Sequence, residues 1–278
     1  MIELFGKERL GRTDSAGKTM SSIAMAPTAA SPLNMEYARR ERCLPAIERR
    51  IVVNSGEPHP GEEKLRLLSH RLHHLRQSRR LRTLVVTSGV PEEGKTVVAA
   101  NLALTLANSD SRVLLIDGDM RRPSAQKMLG VELGAGLSGC IGETVTLTEG
   151  IRRLEPSGLY FLDAGGPVAN PVELVQKPQF LELLKICSSS FDWVVIDTPP
   201  VIPFADAHFI ASVCDAVLLV ARAGVTRPVE FERAARSLKG AYVAGTVLNS
   251  YDEPEERSYY AHYARESNGA KSKREGKK

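Results

Sequence analysis

The sequence predicts an α/β domain built in three layers, with helices on both faces of a mainly parallel β-sheet. Short, almost continuously apolar segments, typical of strands that are buried on both faces, recur along the chain. Segments with helical spacing separate them, and this strand–helix alternation is what a parallel sheet requires. A chain of 278 residues accommodates one such domain together with flanking extensions.

The composition is that of a folded globular protein. Hydrophobic residues make up 42% of the chain and charged residues 25%, which excludes a fibrous or wholly disordered protein. The longest strongly apolar run, 216–221, is far shorter than the roughly 20 residues of a membrane-spanning helix, and the first residues lack the apolar core of a signal peptide. We therefore expect a cytoplasmic protein. The four cysteines contain no Cys-x-x-Cys pair, which argues against a zinc or redox site.

The elements before the domain are an arm and a helix. Residues 1–60 are predicted to form a flexible N-terminal arm, because they mix Gly, Ser, Thr, Ala and Pro without a helical or strand period. Residues 61–80 are predicted to form a basic amphipathic helix, because leucines recur there at spacings of three and four. The positive charge of the first 80 residues could face anionic lipid or nucleic acid, although solvated charge on a mobile segment is the commoner explanation.

Residues 81–250 form the predicted domain, and residues 251–278 a flexible tail. Strands are expected at 84–87, 113–116, 159–162, 193–196, 216–220 and 244–248, and helices between them include 96–107 and 171–187. The tail loses this pattern and becomes polar. It carries four of the seven tyrosines of the chain, namely Tyr251, Tyr259, Tyr260 and Tyr263.

The strongest motif lies at 89–96, which reads G-V-P-E-E-G-K-T. It is a complete G-x-x-x-x-G-K-[ST] phosphate loop (P-loop) between a predicted strand and a predicted helix, and it predicts a P-loop NTPase domain. Backbone N–H groups of such a loop face a phosphate, the lysine neutralises the β- and γ-phosphates, and the threonine hydroxyl can bind Mg²⁺. The predicted nucleotide-binding residues are Gly89, Val90, Pro91, Glu92, Glu93, Gly94, Lys95, Thr96 and Val97.

Two glutamates within this loop are unusual neighbours for a triphosphate. Glu92 and Glu93 are expected either to point outward or to face a cationic partner. Asn249, which follows the last predicted strand, lies where a nucleotide base could be contacted, although an ordinary turn residue is the favoured explanation.

Carboxylates follow two further apolar strands. Asp117 and Asp119 come after 113–116, and Asp197 comes after 193–196. Each alone fits an ordinary turn. Beside a P-loop, whose strand we expect to neighbour that of Asp117, they predict acidic groups at the edge where open α/β sheets bind ligands. Thr96 and Asp197 then hold Mg²⁺, and Asp117 or Asp119 orients the attacking hydroxyl and accepts its proton.

The P-loop, the Asp117-Gly-Asp119-Met-Arg-Arg-Pro segment (Walker A′) and the Val195-Ile-Asp-Thr-Pro-Pro segment (Walker B) together resemble the bacterial tyrosine kinase (BY-kinase) family of capsule and exopolysaccharide export. The resemblance covers about residues 60–265. It implies an ATP- and Mg²⁺-dependent tyrosine autokinase with Lys95, Asp117 and Asp119 as catalytic residues, Asp117 supporting the metal and Asp119 acting as the base. It also implies that the tail tyrosines accept phosphate between subunits.

The resemblance further implies partners. We expect a homo-oligomer, a tyrosine phosphatase and a membrane polysaccharide co-polymerase that recruits the chain to the inner face of the membrane, but no nucleic acid. Two departures from the family pattern stand out. Glu92 replaces a glycine of the common Pro-Gly-Glu-Gly-Lys loop, and the Glu-x-x-Arg-x-x-Arg subunit-contact motif is incomplete, since Ser69 follows Glu63 and Arg66.

Two other functions fit parts of the sequence. A nucleotide-dependent switch that binds a membrane co-polymerase without meaningful kinase activity agrees with Glu92 and the incomplete contact motif. A positioning ATPase on membrane or DNA is disfavoured, because such ATPases carry a lysine where this chain has Val90. The tyrosine-rich tail disfavours it too, unless that segment simply docks on the domain.

Overall fold

The structure is a computed structural model, and it describes residues 2–3, 32–42, 51–53, 59–109 and 111–251. These residues form a nine-stranded sheet of order β1-β9-β8-β3-β7-β4-β6-β5-β2. Its pairs are parallel except β1–β9 and β5–β6. The strands are β1 Ile2–Glu3, β2 Arg39–Arg42, β3 Thr83–Ser88, β4 Val113–Asp117, β5 Arg152–Glu155, β6 Tyr160–Leu162, β7 Trp193–Asp197, β8 Ala216–Arg222 and β9 Val243–Asn249.

Helices cover both faces of the sheet, so the predicted three-layer α/β fold is confirmed. One apolar cluster lies between the sheet and α1 and α2, and a second lies between the opposite face and α7 and α8. Every residue of β3, β4 and β7 is buried, which explains their continuously apolar sequences. The helices are α1 Pro60–Ser78, α2 Lys95–Ala107, α3 Ala125–Leu129, α4 Gly136–Ile141, α5 Leu147–Gly150, α6 Pro171–Gln176, α7 Pro178–Ser190, α8 Ala205–Val213 and α9 Pro228–Ser237.

The single helix predicted over 171–187 is wrong. The structure has two helices there, α6 and α7, separated by Lys177. Lys177 has an extended backbone (φ −65°, ψ 145°) because the ring of the following proline disfavours the helical region for the residue before it. Pro178 itself lies in the first turn of α7, where its missing N–H costs nothing.

The expected neighbour relation of β3 and β4 is also wrong. β7 lies between them and pairs with both. In this register Asp117 lies directly opposite Asp197, and Val86, near the end of β3, also lies opposite Asp197. The insertion of β7 therefore places Walker B at the centre of the three strands that carry the motifs.

Pieces of the predicted N-terminal arm take part in the fold. Arg39–Arg42 forms β2 and pairs with β5 at one edge of the sheet, while Ile2–Glu3 pairs with β9 at the other. Val53 is buried in the cluster beneath α1, and the backbone N–H of Val52 donates to Asn101 Oδ1 on α2 (2.8 Å). The polar, arginine-rich sequence of β2 protects this edge of the sheet from pairing with another chain.

The predicted flexible tail, beyond Tyr251, lies outside the described residues.

Candidate active site

The carboxyl ends of β3, β7 and β4 bring the three motifs together. The P-loop follows β3 and ends where α2 begins at Lys95. Asp197 is the last residue of β7, and Asp117 is the last residue of β4. Because parallel strands end at one edge of the sheet, the three motifs meet there, as the sequence predicts.

The backbone of the P-loop at position 94 has a shape that requires glycine. Gly94 has a left-handed backbone (φ 88°), and a Cβ at this position would lie 2.0 Å from Asn249 Nδ2. Gly94 is also the residue that caps α2, so no side chain caps the first turn of this helix. The free N–H groups and the helix dipole then favour an anion at this place.

Lys95 and Thr96 contact two of the three predicted carboxylates. The Nζ of Lys95 donates to Asp119 Oδ2 (3.0 Å) and lies 3.7 Å from Asp197 Oδ1. The hydroxyl of Thr96 donates to Asp197 Oδ2 (2.6 Å). The P-loop lysine and threonine therefore contact acidic residues that the sequence predicts to lie in the same site.

The charges of this cluster do not balance. Asp117, Asp119 and Asp197 are all buried and face one ammonium group, that of Lys95. Burial alone would lower the pKa of Lys95, but Asp197 and Asp119 outweigh it, and the pKa lies above its ordinary value. Burial raises the pKa of Asp197, against the opposing effects of Lys95 and Thr96. The pocket thus has an excess of negative charge.

This donor set fits a magnesium ion. Asp197 Oδ1 is fully buried and accepts no hydrogen bond in the structure. This carboxylate oxygen, together with the nearby Thr96 hydroxyl, is therefore available to bind a metal ion. Among the described residues no three His, Cys, Asp or Glu side chains converge as a complete metal site. Mg²⁺ in NTPases typically uses one or two protein oxygens and takes the rest of its ligands from phosphate and water.

Asp117 is held by main-chain donors. Its Oδ1 accepts from the N–H of Asp119 (3.1 Å), and its Oδ2 accepts from the N–H groups of Ser124 and Ala125 (3.1 Å each). Burial and the Asp197 charge raise the pKa of Asp117 to about 7, against these hydrogen bonds. In this arrangement Asp117 orders the loop that carries Asp119, and its role at the metal stays a prediction.

A close approach explains the glycine between the two aspartates. The N–H of Gly118 donates to the carbonyl of Asp197 (2.7 Å), and a Cβ at position 118 would lie 2.8 Å from that oxygen. Any larger residue would push β4 away from β7. The Asp-Gly-Asp spacing therefore reflects both the chemistry of the acids and the packing of the two strands.

The two P-loop glutamates behave differently. Glu92 is exposed, as one of the two expectations has it, and its backbone is left-handed (φ 66°). Glu93 is 1% exposed and turns inward. Its carboxylate accepts hydrogen bonds from the Val90 N–H (2.9 Å) and from the Thr226 hydroxyl, so its partners are neutral donors and not the cation that the sequence suggested.

The remaining predicted residues surround this cluster or fall outside it. Gly89, Val90, Pro91 and Val97 belong to the loop and to the first turn of α2, and Asn249 Nδ2 donates to the Glu93 carbonyl (3.0 Å). Whether these residues contact a nucleotide stays a prediction. Tyr251 is exposed, whereas Tyr259, Tyr260 and Tyr263 lie outside the described residues.

Three contacts at the site have no motif in the sequence. The Ser124 hydroxyl donates to the Thr96 hydroxyl (3.3 Å), Thr226 reaches Glu93 from the turn after β8, and Arg121 Nε donates to buried Asp206 on α8 (2.9 Å). This ion pair ties Arg121, which follows the two aspartates of Walker A′, to α8. In the sequence, the residues that make these contacts are marked only by their positions, shortly after a strand or before a helix.

Comparisons with known proteins agree with this geometry. A family model described as an AAA domain matches residues 88–224, which span the P-loop, both acidic motifs and β8. The putative tyrosine-protein kinase CapB of Staphylococcus aureus is 32% identical over 185 residues, covering 66% of this chain and 81% of CapB.

Two further comparisons show how the similarity extends. The tyrosine-protein kinase ptk of Acinetobacter johnsonii is 33% identical over 231 residues, or 82% of this chain, but the chain spans only 31% of that relative. The solved kinase domain of the Escherichia coli tyrosine kinase ETK superposes with a TM-score of 0.65 at 29% identity, covering 69% of this chain and 78% of that domain.

Proposed function

This chain belongs to the bacterial tyrosine-protein kinases, and from that membership we propose that it transfers the γ-phosphoryl group of ATP to tyrosines of its own C-terminal tail, acting between subunits. The observation that carries the proposal is the joined cluster in which Lys95 contacts Asp119 (3.0 Å) while Thr96 contacts Asp197 (2.6 Å). A P-loop lysine beside a carboxylate supplies both charge neutralisation and a base within one site.

The P-loop residues would bind the triphosphate and fix its position. The free N–H groups at the start of α2 would face the phosphates, and Lys95 would neutralise the β- and γ-phosphate oxygens. Thr96 and Asp197 would hold Mg²⁺, which when bound would supply further neutralisation of the phosphate charge. Binding of the anionic phosphates gives Lys95 a second partner and weakens its hold on Asp119.

Asp119 is the residue that we assign as the base. Its Oδ1 accepts the N–H of Arg122 (3.0 Å), and its Oδ2 accepts a hydrogen bond from Lys95 Nζ (3.0 Å). The tyrosine oxygen would form a bond to the γ-phosphorus as the bond from that phosphorus to the β–γ bridging oxygen breaks. The phenolic proton would pass to Asp119, and ADP would leave. A positioned base typically contributes a rate factor of about 10²–10⁴.

The acceptors and partners are part of the same proposal. The tail carries Tyr259, Tyr260 and Tyr263 after an acidic stretch, and Tyr251 at its start is exposed. We assign these tyrosines as acceptors on another subunit. In the part of the chain that the structure describes, none of the helices has both the length and the apolar character of a membrane span. As the family resemblance implies, a membrane co-polymerase of capsule or exopolysaccharide would recruit the chain to the inner face of the membrane, and a tyrosine phosphatase would reverse the reaction.

One observation favours a second function. Glu92, with its left-handed backbone, stands where the family pattern has glycine, and a strained P-loop agrees with a nucleotide-dependent switch that lacks meaningful kinase activity. A switch needs Lys95 for nucleotide binding but not the tail tyrosines. A kinase needs both.

The test is phosphorylation of the tail. Purified chain is incubated with Mg²⁺ and ATP, with and without the membrane partner, and tail peptides are analysed by mass spectrometry. We expect phosphate on Tyr259, Tyr260 or Tyr263 in the wild-type chain and none in Lys95→Met. A variant with all four tail tyrosines changed to phenylalanine controls for other sites. Nucleotide binding without tail phosphate, even with the partner present, would favour the switch.

A further inference from the structure

The P-loop is tied to the ends of two strands that carry none of its motifs. Glu93 is the residue through which both ties pass. Its carboxylate accepts the hydroxyl of Thr226, in the turn after β8, and its backbone carbonyl accepts Asn249 Nδ2, at the end of β9 (3.0 Å). Together with the Val90 N–H (2.9 Å), these contacts form what we call the Glu93 latch.

The turn that carries Thr226 is itself well fixed. The N–H of Arg222 donates to the Thr226 hydroxyl (2.7 Å), and the N–H of Thr226 donates to the Arg222 carbonyl (2.9 Å). The hydroxyl is therefore oriented by one donor so that its own proton points at Glu93. Arg222 Nη1 also donates to the carbonyl of Glu92 (3.3 Å), which adds a direct tie from β8 to the loop.

The position of a carboxylate here is unexpected on electrostatic grounds. A buried acid next to a P-loop repels the phosphates that the loop binds, so its charge works against its proposed ligand. Glu93 is nevertheless 1% exposed, with both oxygens engaged. A hydrogen bond to an ionised group contributes more than one between neutral groups, and this strength is what a short glycine-containing loop needs in order to keep one shape.

We propose that Glu93 is a positioning residue: latched by Thr226, it holds the P-loop in the shape that binds nucleotide. The inference rests on the proposed function only in requiring that the loop binds nucleotide. The apparent dissociation constant of a ligand rises in inverse proportion to the fraction of protein in the competent conformation. Loss of the latch then weakens nucleotide binding without removing any group that touches the phosphates.

The decisive change is at Thr226, because replacing Glu93 would also remove a charge that repels phosphate. Thr226→Val deletes the hydroxyl and keeps the shape, and Thr226→Ser restores the hydroxyl. Val225→Ala is a matched control, since Val225 is an exposed neighbour in the same turn. Dissociation constants for Mg²⁺·ADP are measured with a fluorescent analogue, and apo melting temperatures are measured in parallel.

We expect Thr226→Val to bind Mg²⁺·ADP about five- to fiftyfold more weakly, with Thr226→Ser and Val225→Ala within about twofold of the wild type. A lower melting temperature at unchanged affinity would overturn the proposal, as would equal weakening in Thr226→Ser. Wild-type chain that binds ADP but leaves its tail unphosphorylated would refute the kinase and leave the latch standing. Wild-type chain that binds no nucleotide would refute both.

Discussion

Glu92 is the residue at which this P-loop departs from its family pattern, and its backbone shows the physical cost. A left-handed conformation (φ 66°) is unfavourable for a residue with a Cβ by about 1–2 kcal/mol. Glycine has no such penalty but loses about 0.5–1 kcal/mol through backbone entropy on folding. Glu92→Gly should therefore stabilise the fold by roughly 0.5–1 kcal/mol, measured as a melting temperature about 1–4 °C higher.

A matched control separates stability from function. Glu143 is also exposed and left-handed (φ 58°), but it follows α4 and not β3, and its side chain accepts one exposed hydrogen bond from Gln179 (3.3 Å). Both substitutions to glycine should stabilise the chain. Only Glu92→Gly, which removes a negative charge near the phosphates, should also tighten nucleotide binding, by about two- to fivefold. Equal affinity in both variants would show that Glu92 does not act on the nucleotide.

At the scale of elements, one buried arginine connects the strands at the β2 edge of the sheet. Arg152 on β5 donates to Glu41 on β2 (2.9 Å), to Asp163 after β6 (2.6 Å) and to the Glu132 carbonyl (2.7 Å). Asp163→Ala would leave this buried guanidinium without its strongest partner. We expect the free energy of unfolding to fall by about 3–5 kcal/mol in denaturant titrations.

An exposed ion pair provides the comparison. Glu232 and Arg236 on α9 are 2.7 Å apart and largely solvent-exposed, and such pairs contribute about 0–1 kcal/mol. Glu232→Ala should change the free energy of unfolding by no more than this. Similar losses in the two variants would mean that the Arg152 contacts do not hold β2, β5 and β6 together.

The same strands mark the limit of what the sequence predicts. All six expected strands form, and the apolar runs of three of them, β3, β4 and β7, are buried along their whole length. β2 and β5 escaped prediction because they read Arg-Arg-Glu-Arg and Arg-Arg-Leu-Glu, and such polar runs become strands only by pairing with a neighbour. The break between α6 and α7 was predictable in principle from Pro178.

For the site, as for the fold, the sequence predicts some features and misses others. Lys95, Thr96, Asp119 and Asp197 meet as expected, because strand ends of a parallel sheet share one edge. The strand order could not be read from apolar patterns, which are alike in β3, β4 and β7. Thr226 could not be found either, because its contact with Glu93 joins positions 133 residues apart.

At the scale of the whole molecule, the site is one edge of the central sheet. Five adjacent strands, in the order β9-β8-β3-β7-β4, each supply a group to the site or to the Glu93 latch, either from the strand itself or from the segment that follows it. Asp197 and Asp117 end two of the three fully buried strands, β7 and β4, and the P-loop follows the third, β3. The folding free energy therefore includes the cost of burying acids, and that cost is sensitive to pH.

Asp117 gives this dependence its sign. Its pKa is raised from 3.8 to about 7, so between these values the folded chain binds more protons than the unfolded chain. The free energy of unfolding then decreases as the pH rises through this window and levels off above about 7. We expect urea titrations of nucleotide-free chain to show a loss of about 1–2 kcal/mol between pH 5.5 and 7.5.

Two measurements assign the effect to the site. Asp197→Asn removes the neighbouring charge that helps to raise the pKa of Asp117, so the pH-dependent loss should shrink in this variant. Saturating Mg²⁺·ADP should stabilise the wild-type chain more at pH 7.5 than at pH 5.5, because a divalent cation binds the ionised acids and displaces their protons. Stability of the nucleotide-free wild type that instead rises steadily from pH 5.5 to 7.5 would show that the buried acids do not carry the excess charge inferred here.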